Sequence, residues 1–207
     1  AANQGNEYSQ RMLGSMYVSG ESVYQDYAEA AKWFELAAGQ GNAYSQRVLG
    51  AAYYYGEGVR QDYAEAVKWF KLSANQDDAY SQGMLGAAYH YGEGVRQDKV
   101  EAVKWFKLAA NQGDVRAQRM LGASYYNGDG VRQNYAEAVR WLRLAAAQED
   151  AYAQRMLGTS YYYGEGVRQD KAEAVKWFKL AANQGDVNSQ NILGFMYLGG
   201  ESVRQNI

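Results

Sequence analysis

The side chains that most often carry catalytic chemistry are sparse in this sequence of 207 residues. There is no cysteine and a single histidine, His90. The lack of cysteine excludes disulfides, zinc–thiolate sites and cysteine nucleophiles. One histidine disfavours a conventional catalytic zinc site, and no serine lies in a nucleophile-elbow sequence, so a Ser-His-Asp arrangement is not indicated. The sequence therefore predicts no catalytic residue, no metal site and no cofactor.

Two recurring patterns of glycines and carboxylates also favour a structural role. Gly56-x-Gly58 precedes a predicted helix, as in half of a phosphate-binding loop, but the third glycine and any Gly-Lys-Ser/Thr are missing. Glu57 and Asp62 form a carboxylate pair that recurs in most of the repeats described below, whereas an active site needs to occur only once. No calcium loop with alternating oxygen ligands is present. A turn between two helices accounts for both patterns.

Tyrosines and arginines are the residues best suited to binding. Counted from the leucine of each recurring Leu-Gly pair, such as Leu49-Gly50, they occupy positions −5, −2, +5 and +6. At 100° per residue these positions share the helix side opposite to the packed stripe. Half of the 20 tyrosines lie there. The candidate partner-binding residues are Tyr8, Arg11, Tyr44, Arg47, Tyr54, Tyr55, Tyr80, His90, Tyr91, Arg116, Arg119, Tyr126, Tyr152, Arg155, Tyr162 and Tyr163.

Two interpretations of these rows stay open. Tyr and Arg are enriched at binding hot spots, because each joins a large contact area to a hydrogen-bonding or charged tip. On that basis the rows would line a groove for an extended protein or peptide segment, and the arginines would favour carboxylates on that partner. Alternatively, the tyrosines fill the gaps between successive first helices.

A repeat of 36 residues explains why these tyrosines and arginines recur at fixed positions. The Leu-Gly pair recurs at Leu13, Leu49, Leu85, Leu121, Leu157 and Leu193, and the tryptophans recur at Trp33, Trp69, Trp105, Trp141 and Trp177. A fixed period of this size indicates a solenoid, in which neighbouring repeats share one hydrophobic core. Residues 1–207 thus read as a single repeat domain of five complete repeats and a partial sixth, within a longer array.

Each repeat reads as two helices. In the second repeat, the first helix is predicted over Ala43–Tyr55, after a capping Asn42. The second helix is predicted to begin at Asp62 and to end near Asn75, and Glu65 gives its start the spacing of a capping box. The tryptophan of each repeat is predicted to pack in the shared core.

The sequence resembles a known family in these positions. The shared pattern is Leu49-Gly50-x-x-Tyr53-x-x-Gly56-x-Gly58-Val59-x-x-Asp62-x-x-x-Ala66-x-x-Trp69, followed by Ser73-Ala74. It is similar to the Sel-one-like repeat (SLR), a relative of the tetratricopeptide repeat. The resemblance implies an all-α fold, a right-handed α/α solenoid of 36-residue helix-turn-helix repeats. It also implies a non-catalytic scaffold or adaptor for protein–protein interactions, with the first helices along the concave wall.

Four glycines of this pattern are replaced. Ser22 and Ser202 stand in place of the second turn glycine in the first and last repeats. Asp77 and Glu149 stand in place of the glycine between repeats. We expect looser turns at these positions and an unchanged period.

Two other functions remain as alternatives. A cysteine-rich bacterial branch of the family is linked to β-lactamase and penicillin-binding activity, but this chain lacks the cysteines of that branch. A helical-repeat RNA reader is the second alternative, and the period, the Gly-x-Gly-Val turn and the net charge of −2 count against it. The same charge disfavours nucleic acid as a partner, and no apolar run is long enough for membrane insertion. The resemblance suggests a periplasmic or secreted bacterial protein, while the sequence itself leaves the location unknown.

End-to-end self-association is the first testable prediction. Terminal repeats normally carry a polar outer face, but the last predicted helix presents Ile192, Phe195, Met196 and Leu198. We therefore expect the weight-average mass from light scattering to rise with protein concentration. A mass that stays at that of one chain up to high concentration would contradict this expectation.

Overall fold

The computed structural model describes residues 2–199, so Ser202 lies outside the described residues. Within them the chain forms α helices and one short 3-10 helix, Ala2–Gln4, with no strand. The helices are α1 (Glu7–Ser19), α2 (Tyr27–Gly39), α3 (Ala43–Tyr55), α4 (Tyr63–Ala74), α5 (Ala79–Tyr91), α6 (Lys99–Asn111), α7 (Val115–Asn127), α8 (Tyr135–Ala147), α9 (Ala151–Tyr163), α10 (Lys171–Asn183) and α11 (Val187–Leu198).

These helices belong to two compact units, residues 2–109 and residues 110–199, called unit 1 and unit 2 below. In unit 1, α1 to α5 pack consecutively, each against the next, and α7 to α11 do the same in unit 2. The predicted all-α fold of two-helix repeats is confirmed. The single repeat domain over residues 1–207 stays a prediction. In α11, Phe195 and Leu198 are exposed, but the expectation for Met196 is wrong, because Met196 is buried in the cluster around Phe178. Self-association through this helix stays a prediction.

The first helix of each repeat begins where the sequence predicts it. Asn42 caps α3 by accepting a hydrogen bond from the Ser45 backbone N–H at 2.8 Å, and Asp78 caps α5 in the same way through Ser81 at 2.8 Å. An unpaired amide at a helix start is thereby satisfied. The predicted range Ala43–Tyr55 is confirmed for α3.

The second helices use the same kind of cap, but only half of the predicted capping box. The Asp62 carboxylate accepts hydrogen bonds from the backbone N–H groups of Ala64 and Glu65, at 2.9 Å and 3.0 Å. The Asp62 N–H donates instead to the Tyr53 carbonyl at 2.9 Å, and Glu65 pairs with Lys68 at 2.5 Å. Asp62 is therefore the cap, and α4 begins one residue later. The backbone hydrogen bond from Asp62 to Tyr53 joins the turn to the first helix of the same repeat.

A large buried apolar side chain, phenylalanine in four repeats and leucine in one, fills the space inside the helix pair. Phe70 on α4 is 1% exposed and lies against Gly50 on α3. A Cβ atom on Gly50 would lie 2.7 Å from the Phe70 ring, so the Leu-Gly glycine lets the two helices approach. Trp69 packs, as predicted, at the edge of the cluster around Leu49. The repeat pattern does not single out the residue after each tryptophan, although it is the one that is fully buried: Phe34, Phe70, Phe106, Leu142 and Phe178.

Buried glutamines join neighbouring repeats. The Gln46 amide on α3 donates to the Ala38 carbonyl at the end of α2, at 3.1 Å. Its oxygen accepts from Gln76, which follows α4, at 2.8 Å. These bonds satisfy buried amide groups and a helix-end carbonyl together. Equivalent amide pairs join Gln40 to Gln10, Gln148 to Gln118, and Gln184 to Gln154.

The turns at Gly58, Gly94 and Gly166 each lie against the backbone of the repeat before them. Gly58 has a φ angle of +73°, and a Cβ atom there would lie 2.1 Å from the Tyr27 carbonyl oxygen. Ser22, at the equivalent position of the first repeat, keeps the left-handed conformation with a φ angle of +64°. Asp77 and Glu149 also keep it, at +63° and +65°. The replaced glycines therefore leave the backbone path of these turns unchanged.

The second testable prediction concerns this contact. Gly58→Ala is expected to cost about 3 kcal/mol or more, because a methyl group there meets the Tyr27 carbonyl and the backbone is strained as well. Gly41→Ala is the matched control, since Gly41 also has a positive φ angle but has nothing within 4 Å. It is expected to cost about 1 kcal/mol.

Urea unfolding followed by circular dichroism measures both variants. Equal losses of unfolding free energy would show that strain alone, and not contact between repeats, requires the glycine.

Candidate partner-binding face

In unit 1, tyrosines and arginines of the −5 and −2 rows stack alternately along the first helices. The Arg11 guanidinium lies over the rings of Tyr8 and Tyr44, 5.1 Å and 5.6 Å from their centroids. Arg47 lies over Tyr44 and Tyr80, at 4.9 Å and 5.7 Å. Each contact at these distances contributes a cation–π attraction of about 0.5–1 kcal/mol. We call this stack the tyrosine–arginine ladder.

Unit 2 contains a shorter ladder of the same kind. The guanidinium groups of Arg119 and Arg155 lie over the Tyr152 ring, 5.8 Å and 4.7 Å from its centroid. Arg116 occupies the −5 position one repeat earlier and is exposed. The structure thus brings together, within each unit, residues that the sequence places a whole repeat apart.

Most ladder arginines already face a carboxylate of this chain. Arg47 Nε lies 3.5 Å from the Asp78 carboxylate, and Arg119 and Asp150 are also 3.5 Å apart. These aspartates are the caps of the next first helix, so each ion pair joins one first helix to the start of the next. At Arg11 the equivalent cap is Asn42, an uncharged amide. Among residues 2–199, Arg47 and Arg119 therefore form such ion pairs with cap aspartates, whereas the cap that corresponds to Arg11 carries no charge.

Arg155 pairs with a cap aspartate, Asp186, in the same way, and this pairing helps to lower the pKa of Asp186. Its Nε lies 3.3 Å from the Asp186 carboxylate. Burial by itself raises the pKa of Asp186, but the Ser189 donors and the Arg155 charge outweigh it and hold that pKa below its ordinary value. The carboxylate is thus stabilised in its charged form by the arginine and by the helix that it caps.

The tyrosines of the +5 row fill space between repeats. The Tyr54 ring lies 6.5 Å from the Phe70 ring and 5.1 Å from the Tyr63 ring, between centroids. Its hydroxyl donates to the Glu93 carboxylate at 2.8 Å, in the turn of the next repeat. In unit 2, Tyr126 donates to Glu165 in the same way. Tyr162 packs against the cluster around Phe178, and His90 lies 6.2 Å from Phe106.

The tyrosines of the +6 row add exposed aromatic surface to this face. Tyr55, Tyr91 and Tyr163 are 49%, 59% and 65% exposed. Each ring meets the preceding +5 side chain edge-on, with centroids 4.7–5.0 Å apart. The neighbour therefore fixes the ring while one side stays open to solvent. Large aromatic side chains held in this way are suited to contact with another molecule.

The repeat pattern matches a family model throughout. The Sel1 repeat model matches residues 7–42, 43–78, 79–114, 115–150, 151–186 and 187–207. The chain belongs to the Sel1 repeat family. This is the family that the sequence resembles. Its helical-repeat fold is a protein-interaction fold, and members of the family are generally non-catalytic scaffolds.

Solved Sel1 structures agree with this assignment. A protective antigen of uropathogenic Escherichia coli strains, which displays an SLR fold, matches 98% of this chain with a TM-score of 0.90 and 39% identity. The chain spans 44% of the length of that antigen. A Sel1 repeat protein from Oxalobacter formigenes matches 95% of this chain, and 80% of its own, with a TM-score of 0.81 and 36% identity. The fold is thus an all-α solenoid.

A third solved structure supports the fold alone. The Helicobacter pylori cysteine-rich protein B is 21% identical, with a TM-score of 0.50 over 64% of this chain and 95% of its own. No curated protein matches the chain. Among residues 2–199, no helix is both long and apolar enough to cross a membrane. The same residues contain no cluster of His, Cys, Asp or Glu arranged to hold a metal ion.

The third testable prediction is a loss of stability at alkaline pH through Tyr54 and Tyr126. Burial first, and then the hydrogen bond to a glutamate, raises the pKa of each phenol above its ordinary value of 10.0. Because the unfolded phenol loses its proton at a lower pH than the folded one, this stabilisation is present below about pH 10 and is lost as the pH rises further.

Urea midpoints at about pH 8 and about pH 11 measure the effect. The midpoint of the wild-type chain is expected to fall more than that of a Tyr54→Phe/Tyr126→Phe variant. Tyr24→Phe serves as the control, because Tyr24 is 97% exposed. Identical falls in all three proteins would contradict the prediction.

Proposed function

We propose that this Sel1 repeat protein is a non-catalytic scaffold that binds a protein or peptide segment against the tyrosine–arginine ladder and the exposed +6 tyrosines. The observation that carries the proposal is the ladder itself. Arg11 and Arg47 are held between tyrosine rings. Side chains fixed before binding lose little conformational entropy when a partner arrives.

The charges of the ladder indicate where acidic groups of the partner would bind. Arg47 shares its charge with Asp78, so a partner carboxylate there competes with an internal one. At Arg11 the corresponding cap is the neutral Asn42, and Arg116 is exposed. Acidic side chains of the partner are therefore expected at Arg11 in unit 1 and at Arg116 in unit 2.

The fourth testable prediction uses peptides selected from a random library on the intact chain. Arg11→Ala and Tyr55→Ala together are expected to weaken the selected peptides about 10-fold or more, because truncating a central Arg or Tyr of an interface typically costs over 1 kcal/mol. Isothermal titration calorimetry gives the dissociation constants, and circular dichroism confirms that the variant is folded.

The control removes exposed side chains elsewhere in unit 1. Tyr24 lies between α1 and α2, and Leu36 is an exposed residue of α2. A Tyr24→Ala/Leu36→Ala variant is expected to bind the same peptides as the wild-type chain does. Peptides that tolerate loss of Arg11 and Tyr55 but not loss of Tyr24 and Leu36 would place the binding surface on another face.

A further inference from the structure

The first repeat lacks the +5 tyrosine. Val18 stands where the second repeat has Tyr54, 36 residues later. Tyr54 contacts the Tyr63 and Phe70 rings, packs in the cluster of Ala66 and Met84, and donates to Glu93. These contacts define the surroundings that a tyrosine meets at this position of a repeat.

The first repeat keeps the surroundings without the ring. A cavity of about 290 Å³ lies beside Val18 in unit 1. Its lining includes the counterparts, 36 residues earlier, of every Tyr54 neighbour named above: Tyr27, Ala30, Phe34, Val48 and Glu57. Val48 in place of Met84 widens the space further. The cavity thus includes the position at which the second repeat holds the Tyr54 ring.

The walls of this cavity combine an apolar floor with one acceptor. Phe34 and Ala30 are each 2% exposed and form part of the floor. Among the described residues, no side chain donates to the Glu57 carboxylate, whereas Glu93 and Glu165 each accept a tyrosine hydroxyl. An apolar slot with an unused carboxylate is complementary to an aromatic ring that carries a hydrogen-bond donor.

We propose that this cavity binds a tyrosine side chain of the protein partner, with its hydroxyl donating to Glu57. The inference rests on the proposed function, because it names one anchor of the same partner. The size is sufficient, since an apolar cavity of about 150 Å³ already binds benzene. Arg47 and Tyr80 of the ladder also line the cavity, so the anchor continues the ladder surface.

Selectivity for tyrosine over phenylalanine follows from Glu57. A phenylalanine ring fits the same floor but leaves the carboxylate without a donor, and it displaces water from that carboxylate as it enters. A site that hydrogen-bonds a hydroxyl therefore discriminates against the analogue that lacks it. Because Glu57 is exposed to solvent, the preference is expected to be severalfold and not the larger factor of a sealed pocket.

The fifth testable prediction uses N-acetyl-L-tyrosinamide as the probe. Titration into the methyl-labelled full chain is expected to give saturable NMR shifts at the Val18 and Val48 methyl groups. N-acetyl-L-phenylalaninamide is expected to bind at least threefold more weakly. Glu57→Ala is expected to abolish this difference, because it removes only the acceptor of the hydroxyl.

Val18→Tyr tests whether the cavity itself is the site. The variant is expected to introduce the tyrosine that the second, fourth and fifth repeats have at this position, to raise the melting temperature and to abolish the probe-induced shifts at Val48. Val100→Tyr is the matched control, since Val100 is exposed and lies outside the cavity. It is expected to bind the probe as the wild-type chain does.

The outcomes separate this inference from the proposed function. No saturable shift at Val48, an equal affinity for both probes, or unchanged binding to Val18→Tyr would each overturn the tyrosine site. If Val18→Tyr retains the library-selected peptides that Arg11→Ala/Tyr55→Ala loses, the ladder proposal stands and the tyrosine anchor fails. If N-acetyl-L-tyrosinamide binds as predicted but the selected peptides bind the Arg11→Ala/Tyr55→Ala variant as tightly as the wild-type chain, the tyrosine site stands and the ladder proposal fails.

Discussion

The close approach of each turn to the backbone of the preceding repeat is the constraint on which the other contacts between repeats depend. Gly58 lies so near the Tyr27 carbonyl that no side chain fits between them. This contact fixes how far one repeat is displaced from the next. The Arg47–Asp78 ion pair and the Tyr54–Glu93 hydrogen bond both span that displacement. A shift of a few ångströms would break the hydrogen bond and weaken the ion pair, because a hydrogen bond requires a short distance and the attraction between charges falls with separation.

Much of the local structure could be predicted from the sequence because it follows from short-range chemistry. Asn42 and Asp62 mark helix starts through bonds to amides two or three residues away, and the 36-residue period reveals the repeat. The role of Gln46 could not be predicted, since its partners belong to two other segments and a glutamine at one buried position looks like any polar residue. Its recurrence at the same place in every repeat was the signal available.

The candidate partner-binding face could likewise be predicted only in part from the sequence. The helical period places tyrosines and arginines on one side of the first helices, and within each unit the structure holds them there. The internal partner of Arg47 was not predictable, because Asp78 already has a complete role as a helix cap. Nor does the period reveal that Tyr54 is packed while Tyr55 is exposed. That difference depends on the spacing between neighbouring repeats, which only the folded chain defines.

A double-mutant cycle between Tyr54 and Glu93 tests most directly whether contacts between repeats organise this face. The two side chains belong to different repeats and are joined by one hydrogen bond of 2.8 Å. Unfolding free energies of Tyr54→Phe, Glu93→Ala and the double variant give the coupling between them. The account predicts a coupling of about 1 kcal/mol or more, because the acceptor is charged and the phenol is partly buried. Additive losses, with no coupling, would contradict it.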